Sequence, residues 1–417
     1  MFSAQRIKRE LTELTCALVN IPTENKPPLG FERQGQEYLK TVMYDMGLEI
    51  TDVSPLEIPD FAQNTAFLND RDYTGRYNVI GRWKGSGGGS AKSLLLSGHM
   101  DVAPKEPMPW TVCDPFESTV LEGRIYGRGT ADMKGGLACA VVAVKLLKES
   151  GFIPRGDIIL ESVIDEEYAG VTGTIVSRLL GYNADFGILL EPTGLMICPA
   201  CVGGLVIKLT VNGTAGMPFT GEEITNPAHD IARVIESISR FASIREKQLN
   251  VPTLWEKTLQ KPQIIITKVK AGEVQPHGQL SLPIDAWTEL VIQTYPGEKH
   301  YDVIEEFSNI ISEDARLSKK DFTVEMLYRY CKPAALSIDT PAVELLKLST
   351  ECYTKKTEIC GAMFSCDLFA FEEFGNMPAV IFGPTGGRLH APDEWVDIES
   401  QYVVVQTLMD FIRKWCY

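Results

Sequence analysis

The stretch SLLLSGHMDVAP, residues 93–104, decides the fold because a run of apolar residues ends abruptly in a histidine and a carboxylate. Three consecutive leucines in a short run predict a buried strand of an α/β sheet. Such a strand gains nothing from ending in His99 and Asp101, whereas imidazole and carboxylate groups are ordinary metal ligands. A metal site at this strand end requires further ligands elsewhere in the chain.

The composition of the 417-residue chain excludes several classes of protein. Its formal net charge of −15 argues against nucleic acid or an anionic membrane as a partner. There is no apolar run of about 18 residues to span a membrane, and residues 1–20 read as an amphipathic helix rather than a signal peptide. The ten cysteines have no repeating spacing, which indicates reduced thiols and a cytoplasmic location. Cys198 and Cys201 lack a second pair, so a cysteine-ligated zinc site is not predicted.

The hydrophobic pattern changes twice along the chain. Apolar positions recur at helical spacing over residues 5–47, and strands are predicted at 77–85 and 93–101, with GSGGGSAK (85–92) as a hairpin loop between them. Helices and strands then alternate, which predicts an α/β sheet buried on both faces. After about residue 203 the pattern is that of half-exposed antiparallel strands and two helices, and α/β character resumes near residue 335. We therefore expect an inserted α+β domain, 204–334, within an α/β domain formed by 1–203 and 335–417.

Acidic and imidazole side chains follow the predicted strands of the α/β part. In open α/β sheets, ligands bind at the carboxyl ends of strands, so these side chains are expected to converge in one crevice. Two histidines with three or more carboxylates suit zinc, or a harder ion such as manganese or cobalt, and one carboxylate can bridge two ions. The candidates are His99, Asp101, Asp132, Asp165, Glu166, Glu167, Glu191 and His390.

Each candidate also has an ordinary structural interpretation. A single acid at a strand end is more often a helix cap or a surface charge, and a lone histidine such as His229, His277 or His300 is more often surface or core than ligand. What favours the metal site is the repetition of this feature at five strand or turn ends, with glycines nearby that let the backbone approach closely.

The ordered motifs of the whole chain resemble those of the M20 metallopeptidase family, which includes acetylornithine deacetylase, succinyl-diaminopimelate desuccinylase, aminoacylase and glutamate carboxypeptidase. They are SGHMDV (97–102), DPF (114–116), GRGTADMKGG (127–136), DEE (165–167), EPT (191–193), FGP (382–384) and LHAPDEWV (389–396). The resemblance implies a zinc-exopeptidase-like α/β domain, with a central mixed sheet flanked by helices, and an inserted α+β lid and dimerisation domain. It also implies a homodimer.

The same resemblance assigns roles to individual residues. Asp132 corresponds to a carboxylate that bridges two divalent ions, most simply Zn²⁺, with Co²⁺ or Mn²⁺ as alternatives. His99 and Glu191 would complete the shell of one ion, and Glu167 and His390 that of the other. Asp101 would accept the ring N–H of His99. Glu166 would be the general base that takes a proton from metal-activated water and passes it to the leaving amine. The bond between Asp132 and Met133 would be cis.

Three positions of the inserted domain depart from the family pattern. In NGTAGMPFTGEEITNPA (212–228), Met217 stands where the family has a histidine that stabilises the oxyanion in the partner subunit's site. Leu280 replaces the asparagine of NxxP, and Gln293 replaces the arginine of RxxP. A pocket lined by Met217, Leu280 and Gln293 cannot grip an α-carboxylate in the usual way.

The sequence therefore predicts a metal-dependent hydrolase that cleaves the amide bond of a small N-acyl compound. The three departures favour an atypical substrate, such as an acylated or formylated aromatic or heterocyclic amine. Two alternatives stay open: an ordinary N-acyl-amino-acid deacylase or dipeptidase, and a non-catalytic metal-binding homologue.

Overall fold

In a computed structural model the chain forms two compact units. The first comprises Met1–Cys201, Ala335–Ala362 and Cys366–Tyr417, and the second comprises Val202–Ala334 and Met363–Ser365. The structure describes residues 2–64, 67, 70–88, 91–167, 172–214, 219, 221, 224–258, 261–272, 282–314, 317 and 321–417, excluding the side chains of 62 and 314. Within these ranges, no helix combines the length and the apolar character needed to cross a membrane.

The described helices and strands are numbered in chain order. The helices are α1 Ala4–Val19, α2 Arg33–Asp45, α3 Gly135–Glu149, α4 Thr172–Leu179, α5 Pro227–Gln248, α6 His300–Asp314, α7 Pro341–Glu351, α8 Leu368–Gly375 and α9 Ile398–Trp415. The strands are β1 Asn25–Lys26, β2 Leu29–Gly30, β3 Glu49–Val53, β4 Asn78–Trp83, β5 Leu94–His99, β6 Thr119–Leu121, β7 Arg124–Tyr126, β8 Ile158–Val163, β9 Gly187–Leu189, β10 Ile197–Cys201, β11 Gly203–Asn212, β12 Ile264–Ala271, β13 Asp285–Thr294, β14 Phe322–Met326, β15 Ala334–Ala335, β16 Ile359–Ala362, β17 Ala379–Ile381, β18 Gly386–Gly387 and β19 Trp395–Asp397.

The first unit is built on a nine-stranded mixed sheet, as predicted. Its strands lie in the order β15-β10-β17-β9-β5-β8-β4-β3, and β16 pairs with β10. The four adjacent strands β17, β9, β5 and β8 are mutually parallel, whereas β4 and β3 run antiparallel to their neighbours. Parallel strands end at the same edge of a sheet, so the segments that follow these four strands are brought together.

The central strands have the apolar, fully buried character expected of strands covered on both faces. Every residue of β5 and of β8 is buried, and the first ten residues of α3 are buried as well. Helices α1, α3, α7 and α9 contribute apolar side chains to the same core. The run of leucines at 94–96 is therefore a central strand because both of its faces meet helices.

Two glycines allow neighbouring segments to pack closely against the backbone of Leu190 and Glu191, just after β9. A Cβ on Gly136, in the first turn of α3, would lie 2.0 Å from the carbonyl oxygen of Leu190. A Cβ on Gly383, after β17, would lie 2.2 Å from the carbonyl oxygen of Glu191. Real Cβ atoms do not make contacts this short, so only glycine fits at either position.

The structure corrects two predictions about local structure. The helical pattern of residues 5–47 is divided into α1 and α2 by the β1–β2 hairpin, because Pro22, Pro27 and Pro28 lack the N–H that a continuous helix needs. The segment GSGGGSAK does not join a hairpin, since β8 lies between β4 and β5 and pairs with both. Strand β8, which is distant in sequence, therefore pairs with β4 and β5 in place of the predicted pairing between those two strands.

The second unit is an antiparallel four-stranded sheet with two helices on its apolar side. The strand order is β12-β13-β11-β14, and burial alternates residue by residue along β11 and β13. The inward residues of these strands pack against α5 and α6 through side chains such as Phe241 and Phe307. This alternation is the pattern of a sheet with one covered face.

Candidate metal centre

The carboxyl ends of the parallel strands place the predicted ligands beside one another. His99 is the last residue of β5, Glu166 and Glu167 follow β8, and Glu191 follows β9. The Nε2 atom of His99 lies 3.6 Å from Glu191 Oε1 and 3.9 Å from Glu166 Oε2. Because β5 pairs with both β8 and β9, the sheet itself brings these side chains together.

Asp132 lies between the two histidines. It belongs to the irregular turn Thr130–Lys134 that leads into α3, and the peptide bond between Asp132 and Met133 is cis, as the family resemblance implies. Its Oδ1 lies 3.0 Å from His99 Nε2, and its Oδ2 lies 3.3 Å from His390 Nε2. One carboxylate oxygen thus faces each imidazole, which is the arrangement required of a bridging ligand.

His390 reaches the same place from the loop between β18 and β19. Its Nε2 lies 2.8 Å from Glu167 Oε2, and the other oxygen of Glu167 accepts a hydrogen bond from the backbone N–H of Ala103 at 2.9 Å. The side chain of His390 is 54% exposed, whereas that of His99 is 1% exposed. The site is therefore buried at His99 and open to solvent at His390.

Two groups within this site could each hold a cation. The possible ligand atoms of His99, Asp132 and Glu167 lie within 4.8 Å of one another, and so do those of His99, Glu166 and Glu191. The structure therefore places Glu166, predicted as the base, in the same cluster as two predicted ligands. His390 adds its contacts with Asp132 and Glu167 to the first group.

The structure differs from the predicted contact of Asp101. The ring Nδ1 of His99 lies 2.8 Å from the backbone carbonyl oxygen of Asp101, while the nearer carboxylate oxygen of that residue is 3.8 Å away. The carboxylate instead accepts hydrogen bonds from the backbone N–H groups of Glu166 at 3.2 Å and Glu167 at 3.0 Å, and from Asn25 at 2.9 Å. Asp101 thus orients His99 through its carbonyl and the two glutamates through its carboxylate.

The crowded carboxylates shift the acidity of the whole site. Burial raises the pKa of Glu166 and of Glu191 well above the ordinary value, and raises that of Glu167. Burial disfavours a charged His99, but its hydrogen bond with Asp132 and the nearby glutamates outweigh this effect and raise its pKa well above the usual value. The charge of Glu167 raises the pKa of His390 to about 11. Positive charge is thus strongly favoured at both imidazoles.

The surroundings of the two imidazoles fit divalent metal ions. Each Nε2 atom faces at least two carboxylate oxygens, so an unprotonated ring nitrogen would point its lone pair at other lone pairs. Either a proton or a cation must lie there, and imidazole with carboxylate oxygens is a donor set that zinc, cobalt and manganese accept. The residues present therefore fit divalent ions.

Of the candidate residues in the inserted domain, the structure describes Gln293 and His229. Met217, Leu280 and His277 lie outside the described residues. Gln293, on β13, uses its side-chain amide within the second unit, since Oε1 accepts from the N–H of Gln263 at 3.1 Å and Nε2 donates to the carbonyl of Met363 at 2.9 Å. His229 is an exposed residue in the first turn of α5.

Sequence reasoning did not single out two polar residues next to these ligands. Asn25 donates to Asp101 and also to Asp165 at 3.2 Å, and Glu394 accepts hydrogen bonds from the turn that carries Asp132. The available signal for Glu394 was its place within LHAPDEWV. A buried acid and a surface acid look alike in a sequence, so the motif alone did not indicate what Glu394 does.

A mixed α/β sheet whose parallel strand ends gather two histidines and several carboxylates defines a hydrolase that works with metal ions. The chain belongs to Peptidase family M20/M25/M40, whose model matches residues 95–414. It is 37% identical over 435 aligned residues to N-formyl-4-amino-5-aminomethyl-2-methylpyrimidine deformylase of Halalkalibacterium halodurans, covering 98% of this chain and 95% of that protein. The deformylase of the same name from Bacillus subtilis is 28% identical over 367 residues, covering 82% of this chain and 84% of that protein.

The fold is shared with solved structures of more distant relatives. The dipeptidase Dug1p of Saccharomyces cerevisiae superposes with a TM-score of 0.74 at 13% identity, covering 99% of this chain and 98% of that chain. At this identity the likeness shows the fold alone. The family match and the two deformylase relatives show that the chain is a metal-dependent hydrolase that acts on amide bonds.

Proposed function

We propose that this chain removes the formyl group from an N-formylated aminopyrimidine, releasing formate and the free amine. The observation that carries the proposal is the 37% identity to a deformylase of such a compound over nearly the full length of both chains. A formyl group is the smallest acyl group, and the substrate class lacks the α-carboxylate of N-acyl amino acids. This is the kind of atypical substrate that the departures in the inserted domain favour.

The environment of Gln293 supports a substrate without an α-carboxylate. An arginine at this position would offer a fixed positive charge and paired N–H donors to a carboxylate. Gln293 is neutral, and both ends of its amide are bound to backbone groups of its own unit. It therefore has little capacity to bind a substrate anion, which disfavours the N-acyl-amino-acid and dipeptide alternatives.

Two divalent ions, for which we propose Zn²⁺, would be held by the predicted ligands. His99 and Glu191 would hold one ion, Glu167 and His390 the other, and Asp132 would contribute one oxygen to each. When bound, such ions lower the pKa of water and polarise the oxygen of the scissile carbonyl. The five side chains lie close together in the first unit, and the carboxylates beside the two imidazoles favour positive charge there, since the pKa values of His99 and His390 are raised. Burial opposes a charged Asp132, but its hydrogen bonds with the two imidazoles outweigh burial and lower its pKa.

Glu166 would move the proton in the reaction. Its carboxylate lies in the cluster with His99 and Glu191 but is 13% exposed, so a substrate and a water molecule can reach it. Burial raises its pKa, which makes it a stronger base than an ordinary glutamate. It takes a proton from the attacking water and delivers that proton to the amine nitrogen as the C–N bond breaks. Asp101 holds the backbone of Glu166 during this transfer.

The proposal is tested by measuring formate release from a panel of substrates. The Zn²⁺-loaded protein should hydrolyse an N-formyl aminomethylpyrimidine with a kcat/KM at least tenfold above those for N-acetyl amino acids and dipeptides. Exhaustive chelation should abolish turnover, and Zn²⁺, Co²⁺ or Mn²⁺ should restore it. Faster hydrolysis of N-acetyl amino acids would overturn the substrate class. Full turnover without metal would overturn the mechanism.

We also infer that the chain forms a homodimer through the second unit. Strand β12 is an edge of its sheet, and Ile265 and Val269 on this strand are 53% and 49% exposed. An edge strand with exposed apolar side chains is a template for pairing with another chain, and a second copy offers the matching strand. The predicted lid role of this domain stays a prediction, and we propose a cytoplasmic location from the scattered cysteines.

A further inference from the structure

Glu394 is a fully buried carboxylate whose two oxygens are both occupied by donors of one backbone turn. Its Oε1 accepts from the N–H groups of Ala131 at 3.0 Å and Asp132 at 3.1 Å. Its Oε2 accepts from the N–H of Gly129 at 3.0 Å and from Arg128 Nη1 at 2.7 Å. The side chain is 0% exposed. One acid thus accepts three backbone hydrogen bonds from residues 129–132.

Glu394 also belongs to the loop that carries His390. In this loop Arg388, His390 and Asp393 have φ values of 59°, 53° and 61°, a left-handed conformation that costs energy for residues other than glycine. The loop therefore depends on contacts outside itself. Glu394 supplies one with its side chain, and its carbonyl oxygen accepts from the N–H of Gly127 at 3.0 Å.

The charge on Glu394 is compensated in place. Arg128 is 1% exposed, and its guanidinium contacts both Glu394 and Glu106. A buried carboxylate with a paired guanidinium and three backbone donors has no capacity left for a metal or a substrate. Its function must therefore be exerted through the residues that it holds.

We propose that Glu394 is a positioning residue that sets the spacing between Asp132 and His390 for the second metal ion. The two side chains belong to segments more than 250 residues apart in sequence, and Glu394 joins those segments by five hydrogen bonds, counting the one to its carbonyl. The proposal rests on the metal ligands assigned under the proposed function, but not on the formylated substrate.

The test compares Glu394→Gln with Asp393→Asn, an acid-to-amide change at the adjacent position. Every contact of the Glu394 carboxylate is with a donor, so the NH₂ of glutamine must face an N–H group or Arg128. Asp393 accepts from the N–H groups of Thr111 and Val112 through Oδ1 and from the Thr111 hydroxyl through Oδ2, and asparagine can satisfy all three. The second change should therefore be nearly neutral.

Metal binding is measured without substrate, by competition with a chromophoric chelator and by metal content after dialysis. We expect Glu394→Gln to bind one of its two Zn²⁺ ions about 10–100-fold more weakly, the usual cost of losing a partner behind a metal ligand. Asp393→Asn should bind both ions as the wild type does. Wild-type affinity for both ions in folded Glu394→Gln, or an equal loss in Asp393→Asn, would overturn the proposal.

A second variant covers the case in which Glu394→Gln does not fold. Glu394→Asp keeps the charge opposite Arg128 but is shorter by one methylene, so it cannot reach all four donors. It should retain the wild-type near-UV circular dichroism and lose affinity for one ion. Unchanged affinity for both ions in Glu394→Asp would then refute the positioning role. Because no substrate is present, failure of the deformylase proposal would leave these results unaffected.

Discussion

Glu166 and Glu167 are adjacent in sequence but have different surroundings. Glu167 is bound to the N–H of Ala103 and to His390, whereas Glu166 shares its cluster with His99 and Glu191 and is partly exposed. The backbone of both is held by one carboxylate, that of Asp101. Neighbouring acids can therefore divide the work of ligand and base, because a fixed loop directs them to different partners.

Glu166→Gln tests this division directly. Glutamine has nearly the same shape but cannot accept the proton of the attacking water, so kcat should fall by about 10²–10⁴. The content of bound metal, measured by mass spectrometry of the dialysed protein, should be unchanged. Glu167→Gln serves as the comparison and should reduce metal content. Wild-type turnover in Glu166→Gln would remove this residue from its role.

The histidines predict how metal affinity varies with pH. In the metal-free protein the pKa of His390 is raised to about 11 and that of His99 is raised well above its usual value, so both rings carry a proton at neutral pH. A metal ion must displace these protons, because a protonated ring nitrogen has no lone pair to offer. Apparent affinity should therefore rise with pH, by about tenfold per unit for each proton released.

This pH dependence is measured by chelator competition between pH 6 and pH 8, with the chelator's own protonation taken into account. Calorimetry in buffers of different ionisation enthalpy counts the protons released. His390→Ala should reduce that count. Metal affinity that does not vary with pH would contradict protonation of the two rings in the metal-free protein.

At the scale of elements, the close contact between α3 and Leu190, the residue after β9, bears on where Glu191 lies. Gly136 brings the first turn of α3 against the carbonyl of Leu190, and an added Cβ would lie 2.0 Å from that oxygen. Gly136→Ala should therefore displace the helix and destabilise the protein by about 1–3 kcal/mol, the usual cost of overpacking. It should also weaken metal binding, because Glu191 is the next residue of the chain after Leu190.

Thermal unfolding of the metal-free protein measures the first effect, and chelator competition measures the second. Gly87→Ala is the comparison, since its added Cβ would lie 3.0 Å from the Cβ of Arg155 and 3.1 Å from its carbonyl oxygen, a much milder contact in a turn remote in sequence from the ligands. We expect this variant to lose less stability than Gly136→Ala and to keep the wild-type metal affinity. Equal stability of Gly136→Ala and the wild type would show that the helix can move without cost.

At the scale of the whole molecule, the second unit carries the proposed dimer contact. Ile265→Lys places a charge on the exposed side of the edge strand β12, which should oppose strand pairing between two copies. Light scattering after size-exclusion chromatography should show a shift from dimer to monomer. Ile153→Lys is the matched control, since Ile153 is 68% exposed in the first unit. A wild-type protein that is monomeric at all concentrations would refute the dimer.

The sequence by itself determined the family, the mixed α/β architecture and the chemical identity of the residues that meet at the strand ends. These conclusions were possible because metal chemistry selects residue types, and because a buried strand that ends in an imidazole and an acid is an unusual local pattern. His99, Asp132, Glu191 and His390 could therefore be named in advance, and the structure brings them within a few ångströms of one another.

Only the tertiary structure decided which atoms contact which. It inserted β8 between β4 and β5, directed the carboxylate of Asp101 to the backbone of two glutamates rather than to His99, and joined Glu394 to the turn of Asp132. Each of these outcomes depends on a partner that is distant in sequence. Local propensity cannot predict such pairing, because a buried carboxylate takes whichever donors the packed chain brings within reach.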